Sequence, residues 1–232
     1  MTTHKEVLQQ RLQEIVAGLS PEAIYRSIYD SRGRILAEGL EPLRQQLLDD
    51  FDTVDFQGRN VVDLGCNFGL FSFRAAAAGA GYVLGIDSMP EVVEGARILA
   101  QMKNRDNVEF RVFDFERQKS LPGYFDMVML VDFFGRSSIR KKKIDGILEF
   151  MMATASREML FAIRPINRIE NDLKLSQAAF AKLYPGKYIQ GDSFFLLDYI
   201  GDILGNRWRI TAISDYQGLY CKHKLLFLCR RN

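Results

Sequence analysis

The run Val61-Val62-Asp63-Leu64-Gly65-Cys66-Asn67-Phe68-Gly69 is followed, one apolar strand later, by Gly85-Ile86-Asp87. It reads as a buried strand, a glycine turn opening a helix, and a second strand ending in an acid. That combination grips a nucleoside: the turn lets backbone approach the ligand, and the acid accepts from both ribose hydroxyls. Asp87 lies 22 positions after Gly65, a distance suited to that role. A third strand, Asn107 to Phe115, carries Asp114 between Phe113 and Phe115. The glycine spacing narrows the nucleoside. A dinucleotide site needs G-x-G-x-x-G so that a helix N-terminus meets a pyrophosphate, whereas here Gly65 and Gly69 flank Asn67. A nicotinamide cofactor is disfavoured on that ground, although Asp87 alone would serve either kind of nucleoside.

With Asp63 just ahead of the first glycine, the turn resembles motif I of the class I S-adenosylmethionine-dependent methyltransferases, commonly D-x-G-x-G-x-G. Asn67 replaces the middle glycine, and Asn is the side chain that best tolerates left-handed backbone. The resemblance implies that Asp63, Gly65, Cys66, Asn67, Phe68 and Gly69 pass beneath S-adenosylmethionine, the two glycines allowing close approach because they lack a Cβ. It further implies that Asp87 and Ser88 meet the ribose and that Asp114 accepts from the adenine amine, with Phe113 or Phe115 against the base. S-adenosylhomocysteine would be the product. The implied fold is α/β: a Rossmann-like doubly wound seven-stranded sheet, mostly parallel with an antiparallel C-terminal strand, plus an N-terminal helical extension. The motifs carry the resemblance over residues 58–164, and the tail follows it by pattern only.

The elements that must position these residues are legible as alternating strands and helices. Strands are predicted at Asn60–Leu64, Tyr82–Ile86, Asn107–Phe115, Phe125–Val131 and Glu158–Ile163. Ser88-Met89-Pro90-Glu91 reads as a capping box opening the second helix, and one helix is expected from Arg136 to Ala155. A helix is expected to start near Ser193 within the long stretch 166–206. Trp208–Ser214 and Tyr220–Cys229 read as a terminal hairpin turning at Asp215–Gly218. Ahead of the sheet, residues 5–19 place Val7, Leu8, Leu12, Ile15, Val16 and Leu19 on one helical face. Ser20-Pro21-Glu22 reads as a second helix start, Asp30–Gly33 as a turn, and Arg34 to Asp50 as a third helix. The expected division is an N-terminal helical cap over residues 1–57 and one domain over residues 58–232.

Methyl transfer from a sulfonium is an in-line displacement that chiefly requires alignment, and a general base is needed only where the acceptor loses a proton in the transition state. Ligands of open α/β sheets lie at the carboxyl ends of the strands. Asp132 is therefore the candidate base or substrate contact, with Phe133 and Phe134 beside it and Arg164 placed to meet an anionic substrate. By the resemblance, Tyr25, Tyr29, Arg32 and Arg34 of the extension reach the cofactor carboxylate or the substrate. His4 and His223 are poorly placed as bases. The 31 basic and 29 acidic residues give a formal charge of +2, which argues against a chain devoted to coating nucleic acid. A small-molecule acceptor is expected. The alternatives are an RNA methyltransferase using the basic segment 136–143 and a non-catalytic S-adenosylmethionine-binding module. No D/N-P-P-Y/F segment and no Pro-Cys dipeptide occur, which disfavours two nucleic-acid subfamilies. The three cysteines, Cys66, Cys221 and Cys229, lack metal-ligand spacing, so no metal is expected. The N-terminus lacks an apolar signal region and no run is long enough for a membrane span, so a cytoplasmic protein is expected. The N-terminal helix packs on the domain or pairs two copies into a homodimer.

Overall fold

The computed structural model describes residues 3–30, 33–40, 44–131 and 134–232. The fold is mixed α/β around a seven-stranded, mostly parallel sheet. Two compact units make up the chain, one of Met1–Leu48 with Val54–Asp114, the other of Asp49–Thr53 with Phe115–Asn232.

In the first unit α1 (His4–Gly18) is closed at its start by a capping box between Thr3 and Glu6. Its Leu8 and Leu12 are buried in a cluster with Phe68, Val92, Ile98, Leu99 and Met102, so the apolar stripe packs within its own unit. Burying each leucine contributes about 1.5–3 kcal/mol. The next segment departs from expectation. Pro21–Ala23 makes a single 3₁₀ turn, and β1 (Ile28–Tyr29) pairs antiparallel with β2 (Ile35–Ala37). Asp30 closes this hairpin: its amide donates to the Arg34 carbonyl, its carboxylate accepts from the Arg34 amide at 2.9 Å, and it pairs with the Arg34 guanidinium at 2.8 Å. Side-chain bonding of this kind favours a turn over a helix. The helix expected from Arg34 therefore shrinks to α2 (Gln45–Asp52). Gly39 lies so close to the Arg26–Ser27 backbone that a Cβ would come within 2.4 Å of it, a contact that helical backbone would not make.

The sheet strands of this unit are β3 (Asn60–Leu64), β4 (Tyr82–Asp87) and β5 (Val108–Val112), alternating with α3 (Leu70–Ala77) and α4 (Pro90–Met102). They pair in parallel, Leu64 opposite Ile86 and Asp87 opposite Val112. Val61, Val62, Leu64, Val83 and Ile86 are fully buried, as suits strands covered on both faces. The Ser88 capping box does not form. Met89 takes the N-cap position because Pro90 occupies the first helical turn, and the Met89 amide donates to Asp87 Oδ1 instead.

In the second unit β6 (Phe125–Leu130) pairs in parallel with β7 (Ala155–Ile163). The single helix expected from Arg136 to Ala155 is broken into α5 (Arg136–Arg140) and α6 (Ile144–Thr154). Lys142 adopts φ 50° at the break, and Lys143 turns to the Glu116 carboxylate. In a continuous helix Arg140 and Lys143 would be like charges at i and i+3, which favours the interruption. Beyond β7 come β8 (Ile166–Arg168), α7 (Gln177–Phe180), β9 (Ile189–Gln190), β10 (Ser193–Phe195) and α8 (Leu196–Leu204). Strands β8, β10 and β9 form a small antiparallel sheet, so the helix expected near Ser193 starts three residues later, after a strand. The terminal hairpin is β11 (Trp208–Ala212) and β12 (Leu225–Arg231), with β12 antiparallel to both β11 and β7. The strand order of the main sheet is β11-β12-β7-β6-β3-β4-β5.

Candidate cofactor site

The site is built at the carboxyl ends of β3 and β4. Leaving β3, the chain passes through three left-handed residues, Gly65 (φ 65°), Asn67 (φ 48°) and Gly69 (φ 82°), before α3 begins. Asn67 thus has the conformation its substitution for glycine predicted. Three amides of the turn are engaged internally: Cys66 N donates to Ile86 O, Gly69 N to Cys66 O, and Asn67 N to Asp87 Oδ2 at 3.1 Å. Since Asp87 Oδ1 also accepts from Met89 N at 3.1 Å, this one carboxylate ties the turn to the start of α4. The Asn67 side chain donates to Ala23 O at 2.8 Å, which fixes the N-terminal segment against the turn. Its Oδ1 is buried and has no hydrogen-bond partner among the described residues.

Beneath the turn, Asp63 is 2 % exposed and accepts from Ser72 Oγ at 2.6 Å. Burial pushes its carboxyl up to about 7; the Ser72 hydrogen bond opposes this, and the neighbouring Asp87 charge adds to it. Burial also raises the Asp87 carboxyl, opposed by the amides of Met89, Asn67 and Ser88. The Cys66 thiol is pushed well up by burial and by the same two carboxylates, which makes it inert packing. A Cβ at Gly69 would lie 2.5 Å from the Phe110 ring, so this glycine makes room for Phe110 as well as supplying a left-handed turn.

The turn residues Asp63 and Gly65 to Gly69 come together with Asp87, and exposed Ser88 follows it. Asp114 and Phe113 are half-buried just past β5, with the Phe113 amide on the Asp87 carbonyl. Phe115 is buried in the second unit, 5.8 Å from the Phe150 ring. Tyr29 is exposed on β1, Tyr25 lies under the Arg26 guanidinium, and Arg34 is held by Asp30. Phe134 is 2 % exposed and packs edge-on against Phe161 in the core. Arg164 pairs with Asp172 at 3.6 Å. Arg32, Asp132 and Phe133 lie outside the described residues. Sequence reasoning missed Ser72 and the Ala23 carbonyl; a lone serine on the apolar run of α3 was the available signal for the first. Among the described residues no cluster of three or more His, Cys, Asp or Glu is arranged to hold a metal, and no helix is long and apolar enough to cross a membrane.

With the Cys66, Asn67 and Gly69 amides engaged and two carboxylates beside them, the turn is poorly suited to a pyrophosphate. It offers acceptors: the remaining lone pairs of Asp87 and the orphaned Asn67 Oδ1. These suit the hydroxyls of a nucleoside and a positively charged ligand.

A family model described as a methyltransferase domain matches residues 55–185. The ubiquinone biosynthesis O-methyltransferase of Neisseria meningitidis serogroup C (strain 053442) is 31% identical over 94 residues, covering 40% of this chain and 39% of that protein. The ribosomal protein L11 methyltransferase of Tolumonas auensis (strain DSM 9187 / NBRC 110442 / TA 4) is 35% identical over 69 residues, covering 30% of this chain and 24% of that protein. The matched regions thus span well under half of these curated relatives. In three dimensions the chain is similar to magnesium protoporphyrin IX methyltransferase from Synechocystis PCC 6803 with bound S-adenosylhomocysteine. The TM-score is 0.54 at 17% identity, covering 84% of this chain and 90% of the other. It is also similar to the bifunctional kinase-methyltransferase WbdD, with a TM-score of 0.59 at 20% identity over 94% of this chain and 47% of the other. Such distant likenesses show the fold, whereas the family match extends over more than half of the chain: the protein belongs to the methyltransferase-domain family.

Proposed function

We propose that the protein transfers a methyl group from S-adenosylmethionine to a small-molecule acceptor. The observation that carries this reading is the engagement of the Cys66, Asn67 and Gly69 amides beside Asp63 and Asp87, which favours a cationic nucleoside over a phosphorylated one. Asp87 would accept from the ribose hydroxyls, Asn67 Oδ1 from a further donor, and Asp114 from the adenine amine. When bound, the sulfonium supplies an activated methyl group and a good leaving group. The chain's own task is then to hold an acceptor atom in line and to exclude water, and proximity alone supplies much of the rate. Asp132 is proposed as the base where the acceptor must lose a proton.

Relatives named for ubiquinone biosynthesis and for ribosomal protein L11 leave the acceptor class to be tested. An RNA acceptor has one observation in its favour, the exposed cations Arg140, Lys141 and Lys142. Against it, Arg136 donates to the Asp172 carbonyl and Lys143 is paired with Glu116, so the segment presents fewer cations than its sequence promises. Incubation with methyl-tritiated S-adenosylmethionine and fractionated cell extract separates the two. Label in the low-molecular-weight pool supports the proposal. Label in RNA, suppressed by salt, overturns it in favour of the alternative.

A further inference from the structure

Three arginines of the second unit gather around one residue, Asp172. Arg164 directly follows β7 and reaches Asp172 Oδ1 at 3.6 Å. Arg136, which opens α5 after β6, donates from Nε to the Asp172 carbonyl at 2.7 Å. Arg168, at the end of β8, has its amide on Asp172 Oδ2 at 2.8 Å and its guanidinium 5.0 Å from the centre of the Tyr220 ring. Tyr220 closes the group by donating its hydroxyl to the same carboxylate. The segment carrying Tyr220 runs into β12, whose Leu225 stands opposite Ile163, the last residue of β7. All of these groups therefore gather at the carboxyl end of β7, where ligands of open α/β sheets are bound.

The charges do not balance. Of the three guanidinium groups only that of Arg164 pairs with the Asp172 carboxylate, while Arg136 meets its main-chain carbonyl and Arg168 meets Ser193 and the Tyr220 ring; among the described residues no second acid pairs with any of them. Donors are left over as well. Arg168 directs one nitrogen to Ser193 Oγ at 2.7 Å, and Arg136 uses only Nε. The Arg164 guanidinium, 40% exposed, makes its one long ion pair and no hydrogen bond among the described residues. A planar fork with five N–H groups, loosely paired and 40% exposed, is the arrangement that recognises a carboxylate or phosphate in a bidentate manner. Tyr220 ties the cluster together, its hydroxyl on Asp172 and its ring under the Arg168 guanidinium.

We infer that the methyl acceptor is an anion, carrying a carboxylate or a phosphate that Arg164 binds with Arg136 and Arg168 around Asp172. The word acceptor rests on the proposed methyl transfer; the anion site itself does not. The test is therefore run on the full chain without cofactor, titrating phenyl phosphate, benzoate and neutral benzamide by ligand-observed magnetic resonance. Binding of either anion and not of benzamide is expected, weakened about tenfold by Arg164→Gln and less by Arg164→Lys. Phenyl phosphate against benzoate tells which anion is preferred. S-adenosylhomocysteine affinity, measured in the same variants, should stay within about twofold of wild type, which also shows that they fold. Equal binding of benzamide and benzoate, or anion affinity indifferent to both substitutions, overturns the inference. Loss of S-adenosylhomocysteine binding by the wild-type chain would instead remove the methyltransferase reading and leave the anion site standing.

Discussion

Replacing Asp63 by asparagine tests whether a buried acid beneath the glycine turn is held near neutrality by its surroundings. Asp63 is 2 % exposed, with its carboxyl raised to about 7, chiefly by burial. In the unfolded chain an aspartate titrates near about 3.9. Between those values the folded protein holds a proton that the unfolded chain has released, so rising pH draws the equilibrium toward unfolding. Each tenfold difference in proton affinity corresponds to about 1.4 kcal/mol, and the gap from about 3.9 to about 7 gives about 4 kcal/mol. Asp63→Asn keeps the shape and the acceptor for Ser72 but removes the ionisation. The variant should gain on wild type from about pH 4 to about pH 7, by up to about 4 kcal/mol, and hold that gain at higher pH. Urea unfolding at several pH values, followed by far-ultraviolet circular dichroism, reads this. The only tryptophan, Trp208, belongs to the other unit and would report the wrong one. A difference that stays flat within about 1 kcal/mol, or shrinks as pH rises, would refute the reasoning.

Gly95→Ala places a Cβ 2.3 Å from the Phe68 ring that backs the turn. It should lower stability by about 1–3 kcal/mol, seen in the melting temperature, and Phe68→Leu in the same chain should restore most of the loss. Ser214 donates to the Asp50 carboxylate and accepts from the Leu226 amide at 2.8 Å, all of it buried. Ser214→Ala leaves both partners without it and should cost about 1–3 kcal/mol by urea midpoint; an unchanged midpoint would show that the bridge contributes nothing.

Much of the frame was legible because it depends on local pattern. The apolar runs at Val61–Leu64 and Phe125–Leu130 could only be strands buried on both faces, and Asn67 stood at a position where left-handed backbone was required. The terminal hairpin followed from its two apolar runs and the turn between them. What stayed hidden depends on partners distant in sequence or on competition between neighbouring groups. A helix from Arg34 is reasonable until Asp30 seizes the Arg34 amide and Gly39 packs on the Arg26 backbone. The break at Lys142 needs Glu116 to receive Lys143. Ser88 does not cap α4, because Pro90 sets where that helix begins and leaves Met89 at the N-cap, its amide on Asp87. The arginine group around Asp172 draws on residues from 136 to 220, and Arg164 alone gave a hint of it.

The central claim is that the turn at Gly65–Gly69 with Asp87 binds S-adenosylmethionine and not a dinucleotide. Isothermal titration of the wild-type chain and of Asp87→Ala with S-adenosylmethionine, S-adenosylhomocysteine and NADH tests it directly. Saturable binding of the two sulfur-containing nucleosides, lost in the variant, with no heat from NADH is the predicted result. Absence of binding by the wild type, or a preference for NADH, would contradict it.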